Sequence, residues 1–116
     1  MTQPFDTSLL PHHRLRAFGV AVKLLAAVRE AQVRDRVLRD QALRAAKSAC
    51  LNCAEGAGRV TRADKARAYT VARGEMVEAV AAIEIASLTG DARHEVVPRV
   101  VALGNELYAM LTKLIR

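Results

Sequence analysis

Between residues 37 and 55 the apolar positions Leu38, Ala42, Ala45, Ala49 and Cys53 recur every three or four residues, and all but Leu38 are small. That spacing lines them up on one side of an α-helix. Side chains this short let a neighbouring helix come close, so the segment is suited to helix-on-helix packing. The rest of the chain agrees with it: 52% of its 116 residues are hydrophobic, only 3% are aromatic, Trp is absent, and there are six Gly and three Pro. An apolar mass made of Ala, Val, Leu and Ile favours close-packed helices. A chain of this length is most simply one domain that buries about two-thirds of the surface it exposes unfolded. The expected fold class is all-α, an antiparallel up-down four-helix bundle.

Residues 1–14 carry Pro4 and Pro11 without periodicity and read as a loose N-terminal leader; residues 15–116 form the bundle. A first helix over residues 15–32 places Phe18, Val22 and Leu25 on one face. The second covers residues 37–55, and Gly56 is positioned to end it in the left-handed conformation. Thr61 followed by Asp64 resembles a capping box, so a third helix is expected over residues 62–89, closed by Gly90 and Asp91. A fourth over residues 95–115 tolerates Pro98 because proline fits the first turn.

The last two helices are apolar on more than one stripe. One stripe of the third is Tyr69, Ala72, Met76, Val80 and Ile83; the other is Val77, Ala81, Ile85 and Leu88. In the fourth, Val100, Leu103, Leu107, Met110 and Leu114 form one stripe, and Val97, Val101, Tyr108 and Ile115 the other. A single stripe per helix fills a four-helix core. The second stripes need another partner, and self-association covers them most economically, which makes Val77, Ala81, Ile85, Leu88, Val97, Val101, Tyr108 and Ile115 the expected oligomer interface.

Charge is concentrated in the middle third. Between Arg34 and Arg73 ten basic residues face four acids, which accounts for the whole net charge of +6 and leaves the remainder neutral. Such a cluster suits a polyanion or, alternatively, is a solvated helical face. Arg36, Arg39, Arg44, Lys47, Arg59, Arg62, Lys65 and Arg67 are the candidate phosphate contacts. Arg59, Arg62 and Lys65 would stand around the free amides of the third helix's first turn, an arrangement that attracts anions; a capped helix start with solvated arginines explains the same residues. Four aromatics, Phe5, Phe18, Tyr69 and Tyr108, are too few for base-stacking recognition, so any nucleic-acid binding should be general and salt-sensitive.

Several chemistries find no footing. Cys50 and Cys53 form a CxxC, but zinc wants four ligands and there is no second pair, while a redox motif would want a strand-helix setting. Packing is the simpler role for both thiols. The glycines of EGAGRVTR lack a nucleotide-loop ending. No ExxH pair exists for a di-metal bundle, and His12, His13 and His94 have no persuasive nucleophile nearby. No catalytic site, metal, cofactor or small-molecule substrate is expected. Asn52, Glu55, Glu78 and Glu84 read instead as helix-end or interhelical polar partners, with Arg44 and Arg73 as their counterparts. Charges interrupt every apolar run before the ~20 residues a membrane span needs, the start does not resemble a signal peptide, and two cysteines suit a reducing compartment; a cytoplasmic location is the expectation.

The run from Gln41 to Asp91, with ELYAMLTKLI near the end, resembles the four-helix-bundle family first noticed as reading frames in intervening sequences of bacterial 23S ribosomal RNA genes. The resemblance rests on Arg44 to Ala46, Asn52, Ala54 to Gly56, Gly58, Arg59, Ala72 to Gly74, Glu78, and the closing Met110, Leu111, Leu114 and Ile115. It implies an antiparallel bundle that assembles as a homopentamer. A related fold is the accessory protein of diversity-generating retroelements, a basic pentameric barrel that associates with a reverse transcriptase and with nucleic acid. By that resemblance the expected partners are further copies of the chain, RNA or DNA, and a reverse transcriptase. An oligomeric scaffold that binds an acidic protein is the alternative. The chain departs from the family pattern at Ala49, Cys50 and Cys53, where relatives carry an Ile-Pro pair and an Ile, and at Glu75, where they often carry Ser. Loss of the proline predicts a more continuous second helix.

Overall fold

The computed structural model describes residues 10–116. Four helices, α1 (Arg16–Glu30), α2 (Arg36–Gly58), α3 (Arg62–Leu88) and α4 (Val97–Ile115), pack as a bundle, and the described residues contain no strand. Short 3-10 helices at Pro11–Arg14 and His94–Val96 lead into α1 and α4. The first of these falls in the expected leader, of which residues 1–9 lie outside the described residues. The molecule measures 44 × 33 × 21 Å. Its shortest dimension is two helix diameters, and its longest is close to the rise of α3 at about 1.5 Å per residue.

Local chemistry sets most of the helix ends. Asp35 caps α2 by accepting from the Leu38 amide at 2.9 Å, and Thr61 caps α3 by accepting from the Asp64 amide at 3.1 Å. At the end of α3, Gly90 takes a left-handed φ of 76°. The Asp91 amide then reaches Ala86 O at 2.7 Å and the Gly90 amide reaches Ser87 O at 3.1 Å. These are the two bonds of a Schellman ending. After α1, Gln32 is also left-handed with φ 48°, a conformation that suits glycine better, and its amide reaches Arg29 O at 3.2 Å, the inner of those two bonds.

Gly56 departs from expectation. It does not end α2: it is helical and buried, and the helix runs on to Gly58. What glycine supplies there is space, since a Cβ at Gly56 would lie 2.5 Å from Tyr69 Cε1. The final carbonyls of α2 are closed by a side chain instead. Lys65 Nζ donates to Gly56 O at 3.2 Å and to Ala57 O at 3.0 Å, placing its positive charge at the negative end of the helix dipole.

The core is largely alanine where helices approach and branched aliphatic where they diverge. Ala42, Ala49 and Gly56 on α2 and Ala72, Ala79 and Ala86 on α3 recur at seven-residue intervals, all are buried, and α2 with α3 forms the most extensive helix pair. Small residues at that seam let the two backbones close up. Leu24, Val28, Ile83, Val100, Leu107 and Leu111 fill the wider interior and are fully buried, each contributing about 1.5–3 kcal/mol by leaving water. The inward stripe of α4 thus uses Leu111, which the periodicity omitted. Leu114, expected inside, is exposed in the last turn. Gly104 allows α4 to close on α3, because a Cβ there would meet Val80 Cγ2 at 2.8 Å.

At one end the two interhelical loops are joined. The Arg34 amide donates to Asp91 O at 2.7 Å, the Arg93 amide donates to Ala31 O at 2.8 Å, and the Arg34 guanidinium reaches Gly90 O. Arg99 of α4 pairs with Glu30 of α1 beside them. The other end holds the short α2–α3 corner, where the basic residues gather.

Candidate nucleic-acid interface

The fold separates the eight candidate cations into groups with different freedom. Arg36 and Arg39 sit in the first turn of α2, whereas Arg59, Arg62, Lys65 and Arg67 surround the corner at its far end. The rise along α2 between Arg36 and Arg59 is about 35 Å. Lys47 lies between, exposed and without an ion pair among the described residues. The eight therefore do not converge on one point; they line a helix and cluster at its end.

Several are already engaged. Arg44 bridges α2 to α3, its Nη1 donating to Glu75 at 3.2 Å and its Nη2 to Glu78 at 2.6 Å. Hydrogen bonding to Glu75, then the charge of Glu78, holds the guanidinium above its already high ordinary pKa. The Glu75 that departs from the family pattern thus has a structural use, and Arg44 acts as the interhelical partner that the acids of α3 called for. Arg59 pairs with Glu55 at 3.1 Å one turn earlier, and Arg62 donates to the backbone carbonyl of Arg116. Lys65 is held by the α2 carbonyls. Arg39 lies 4.0 Å from Asp40, with both side chains well exposed. Arg36, Lys47 and Arg67 make no hydrogen bond or ion pair among the described residues.

Beside the corner, α2 and α3 part to leave a crevice of about 180 Å³ lined by Asn52, Glu55, Arg59, Asp64, Arg67 and Val71. Asn52 is fixed by its amide nitrogen, which donates to Ser48 O at 2.9 Å, so its Oδ1 is left for other contacts. Sequence reasoning read Asn52 as an interhelical partner and Asp64 as a capping residue. It missed that both share a crevice with Arg67, because a position on α2 and one on α3 are brought side by side only by the helix pairing. The contacts of Arg73 were likewise hidden. Its guanidinium donates to Thr112 at 3.0 Å and lies 5.1 Å from the Tyr108 ring centroid, tying α3 to α4 by a hydrogen bond and a cation–π contact.

The thiols of the CxxC are both buried, Cys53 completely. Burial raises Cys50 to about 11, and burial together with the neighbouring Cys50 raises Cys53 to about 12. Neither is positioned as a nucleophile at neutral pH. Among the described residues no cluster of three or more His, Cys, Asp or Glu side chains could hold a metal ion. Among them, too, no helix is long and apolar enough to cross a membrane.

The second apolar stripes remain at the surface. Val77, Ile85 and Tyr108 are each about half exposed, at 47%, 48% and 45%, and Leu88 is 87% exposed, far from the burial their chemistry favours. Ala81 and Val101 are half-buried, and with Val77 and Tyr108 they line a groove of about 270 Å³ between α3 and α4. Val97 and Ile115 differ: they pack partly against the chain's own core.

These features define a small all-helical bundle with a basic corner and an uncovered apolar face. A family model described as 23S rRNA-intervening sequence protein matches residues 14–113. The chain belongs to that family, as the resemblance implied. No curated protein matches the sequence.

Proposed function

We propose that the chain is a non-enzymatic, homo-oligomeric antiparallel bundle that docks nucleic acid, or an enzyme acting on nucleic acid such as a reverse transcriptase, through its basic α2–α3 surface. The observation that supports this best is the combination of uneven charge with unspent cations. The middle third carries the entire net charge, and Arg36, Lys47 and Arg67 on it remain without partners among the described residues. Phosphates are the natural counter-charge for such a surface. Assembly follows from the α3–α4 face, where Val77, Ile85, Leu88 and Tyr108 stay in water unless another copy covers them. A homopentamer, the assembly implied by the family resemblance, would repeat each basic surface around a ring and raise its effective charge. The reading places the protein in the cytoplasm, with no cofactor, no small-molecule substrate and no membrane contact.

A second reading, an oligomeric scaffold for an acidic protein, gains support from Arg44, Arg59 and Lys65, which are spent on contacts within the chain. Titration of a labelled oligonucleotide at two salt concentrations separates the two. The nucleic-acid reading expects binding that weakens steeply with salt and is lost after charge reversal of Arg36, Lys47 and Arg67, with helicity unchanged by circular dichroism. Undetectable affinity at low salt would leave the scaffold. Light scattering on the native chain and on Ile85→Glu tests assembly: a native monomer at micromolar concentration removes the oligomer from the proposal.

A further inference from the structure

The α2–α3 crevice holds more than positive charge. Asp64 projects a carboxylate that accepts no hydrogen bond and makes no ion pair among the described residues, and Arg67 presents a guanidinium that is equally unengaged. Glu55 is tied to Arg59 along the α2 side of the same crevice, Asn52 offers a free carbonyl oxygen, and Val71 supplies an apolar edge that is 45% exposed. A surface that bound phosphate alone would gain nothing from the unpaired carboxylate of Asp64, which repels an anion. Acceptors beside a cation suit a ligand that is anionic at one point and carries a hydroxyl donor a few ångströms away. A ribonucleotide unit is such a ligand: a phosphate for Arg67, a 2′-hydroxyl to donate to Asp64 or Asn52, and an apolar sugar face for Val71. DNA lacks the hydroxyl and would leave the Asp64 carboxylate beside the phosphate without a donor to accept from.

We infer that this crevice is an RNA-selective subsite in which Arg67 holds a backbone phosphate and Asp64 accepts the adjacent 2′-hydroxyl, so that the chain prefers RNA to DNA of the same sequence. The inference rests on the nucleic-acid reading above and adds the class of strand to it. At about 180 Å³ the crevice admits a single sugar–phosphate unit, so selection is made at that unit while the remaining cations act on either strand. A hydrogen bond to a charged acceptor of this kind is worth roughly tenfold in affinity.

The test is fluorescence anisotropy with single-stranded RNA and DNA 12-mers of one sequence on the full chain, its Asp64→Ala variant and its Arg67→Ala variant, each checked by thermal melting. The expected result is tighter binding of RNA by the native chain, by several-fold or more. In Asp64→Ala that preference should collapse while DNA affinity rises, because a repulsive charge has gone. In Arg67→Ala both affinities should fall together. A loss caused only by damaged folding would lower both strands in Asp64→Ala and could not raise DNA binding. Equal binding of the two strands by the native chain, or an unchanged preference in Asp64→Ala, overturns the RNA subsite and leaves general nucleic-acid binding standing. Binding of neither strand overturns both.

Discussion

Replacing Gly56 by Ala tests how α2 and α3 are held together. In an exposed helix interior this change stabilises by about 1 kcal/mol, because Ala restricts the unfolded chain and suits the helix. Here the new Cβ would stand 2.5 Å from Tyr69 Cε1, 2.7 Å from Cδ1 and 2.9 Å from Cζ, so the ring edge must retreat by about 1 Å to regain ordinary contact. Tyr69 is buried, and its ring has little room to retreat. Forcing a methyl into packing of this kind costs about 1–3 kcal/mol, and with a buried ring as the obstacle the upper half of that range applies. The net expectation is a loss of about 1–2 kcal/mol, a fall in Tm of roughly 4–8 °C. Gly58→Ala is the internal control: it is also helical, nothing lies within 4 Å of its added Cβ, and it should hold or raise Tm. Combining Gly56→Ala with Tyr69→Leu should cost less than the two changes do singly added together, which a double-mutant cycle reads as coupling. Thermal melts at one protein concentration suffice. If Gly56→Ala matches Gly58→Ala, or shows no coupling to Tyr69, the close approach does not govern this seam and the reasoning fails.

The buried thiols predict an alkaline weakness. Their native values of about 11 and 12 lie above the unfolded value of about 8.5, so the native state keeps protons that the unfolded state releases. Their contribution is complete below the unfolded value and is lost as pH rises toward the folded ones, by up to about 1.4 kcal/mol per pH unit for each thiol. Tm measured from pH 8 to 10.5 should fall less steeply in the Cys50→Ala, Cys53→Val double variant than in the native chain; parallel slopes would show that the thiols are not the titrating groups. Lys65→Met keeps the aliphatic stem but removes the charge from the end of α2, and should lower stability by about 1 kcal/mol in urea unfolding. No change in the midpoint would mean that water serves those carbonyls as well as the ammonium does.

Periodicity alone determined four helices, their order and nearly all of their boundaries. The reason is that an amphipathic spacing, a threonine or aspartate before it and a glycine after it are local signals that act through the backbone of the same segment. Thr61 and Gly90 behave in the structure as their residue types dictate, and so does the small-residue face of α2. The order of residues likewise located the excess charge along the chain, since charge needs no tertiary contact to be counted.

What each charge or glycine faces was decided by packing. Gly56 carries the local signature of a helix end, yet it sits inside α2 because Tyr69 of α3 occupies the space its side chain would need. Lys65 reads as a phosphate contact until the fold places it against the α2 carbonyls, and Arg44 until Glu75 and Glu78 rise opposite it. Asn52, Asp64 and Arg67 share a crevice only because two helices lie side by side. A sequence states which groups a chain possesses; their distances come from the tertiary fold, and electrostatic and steric energies depend on distance.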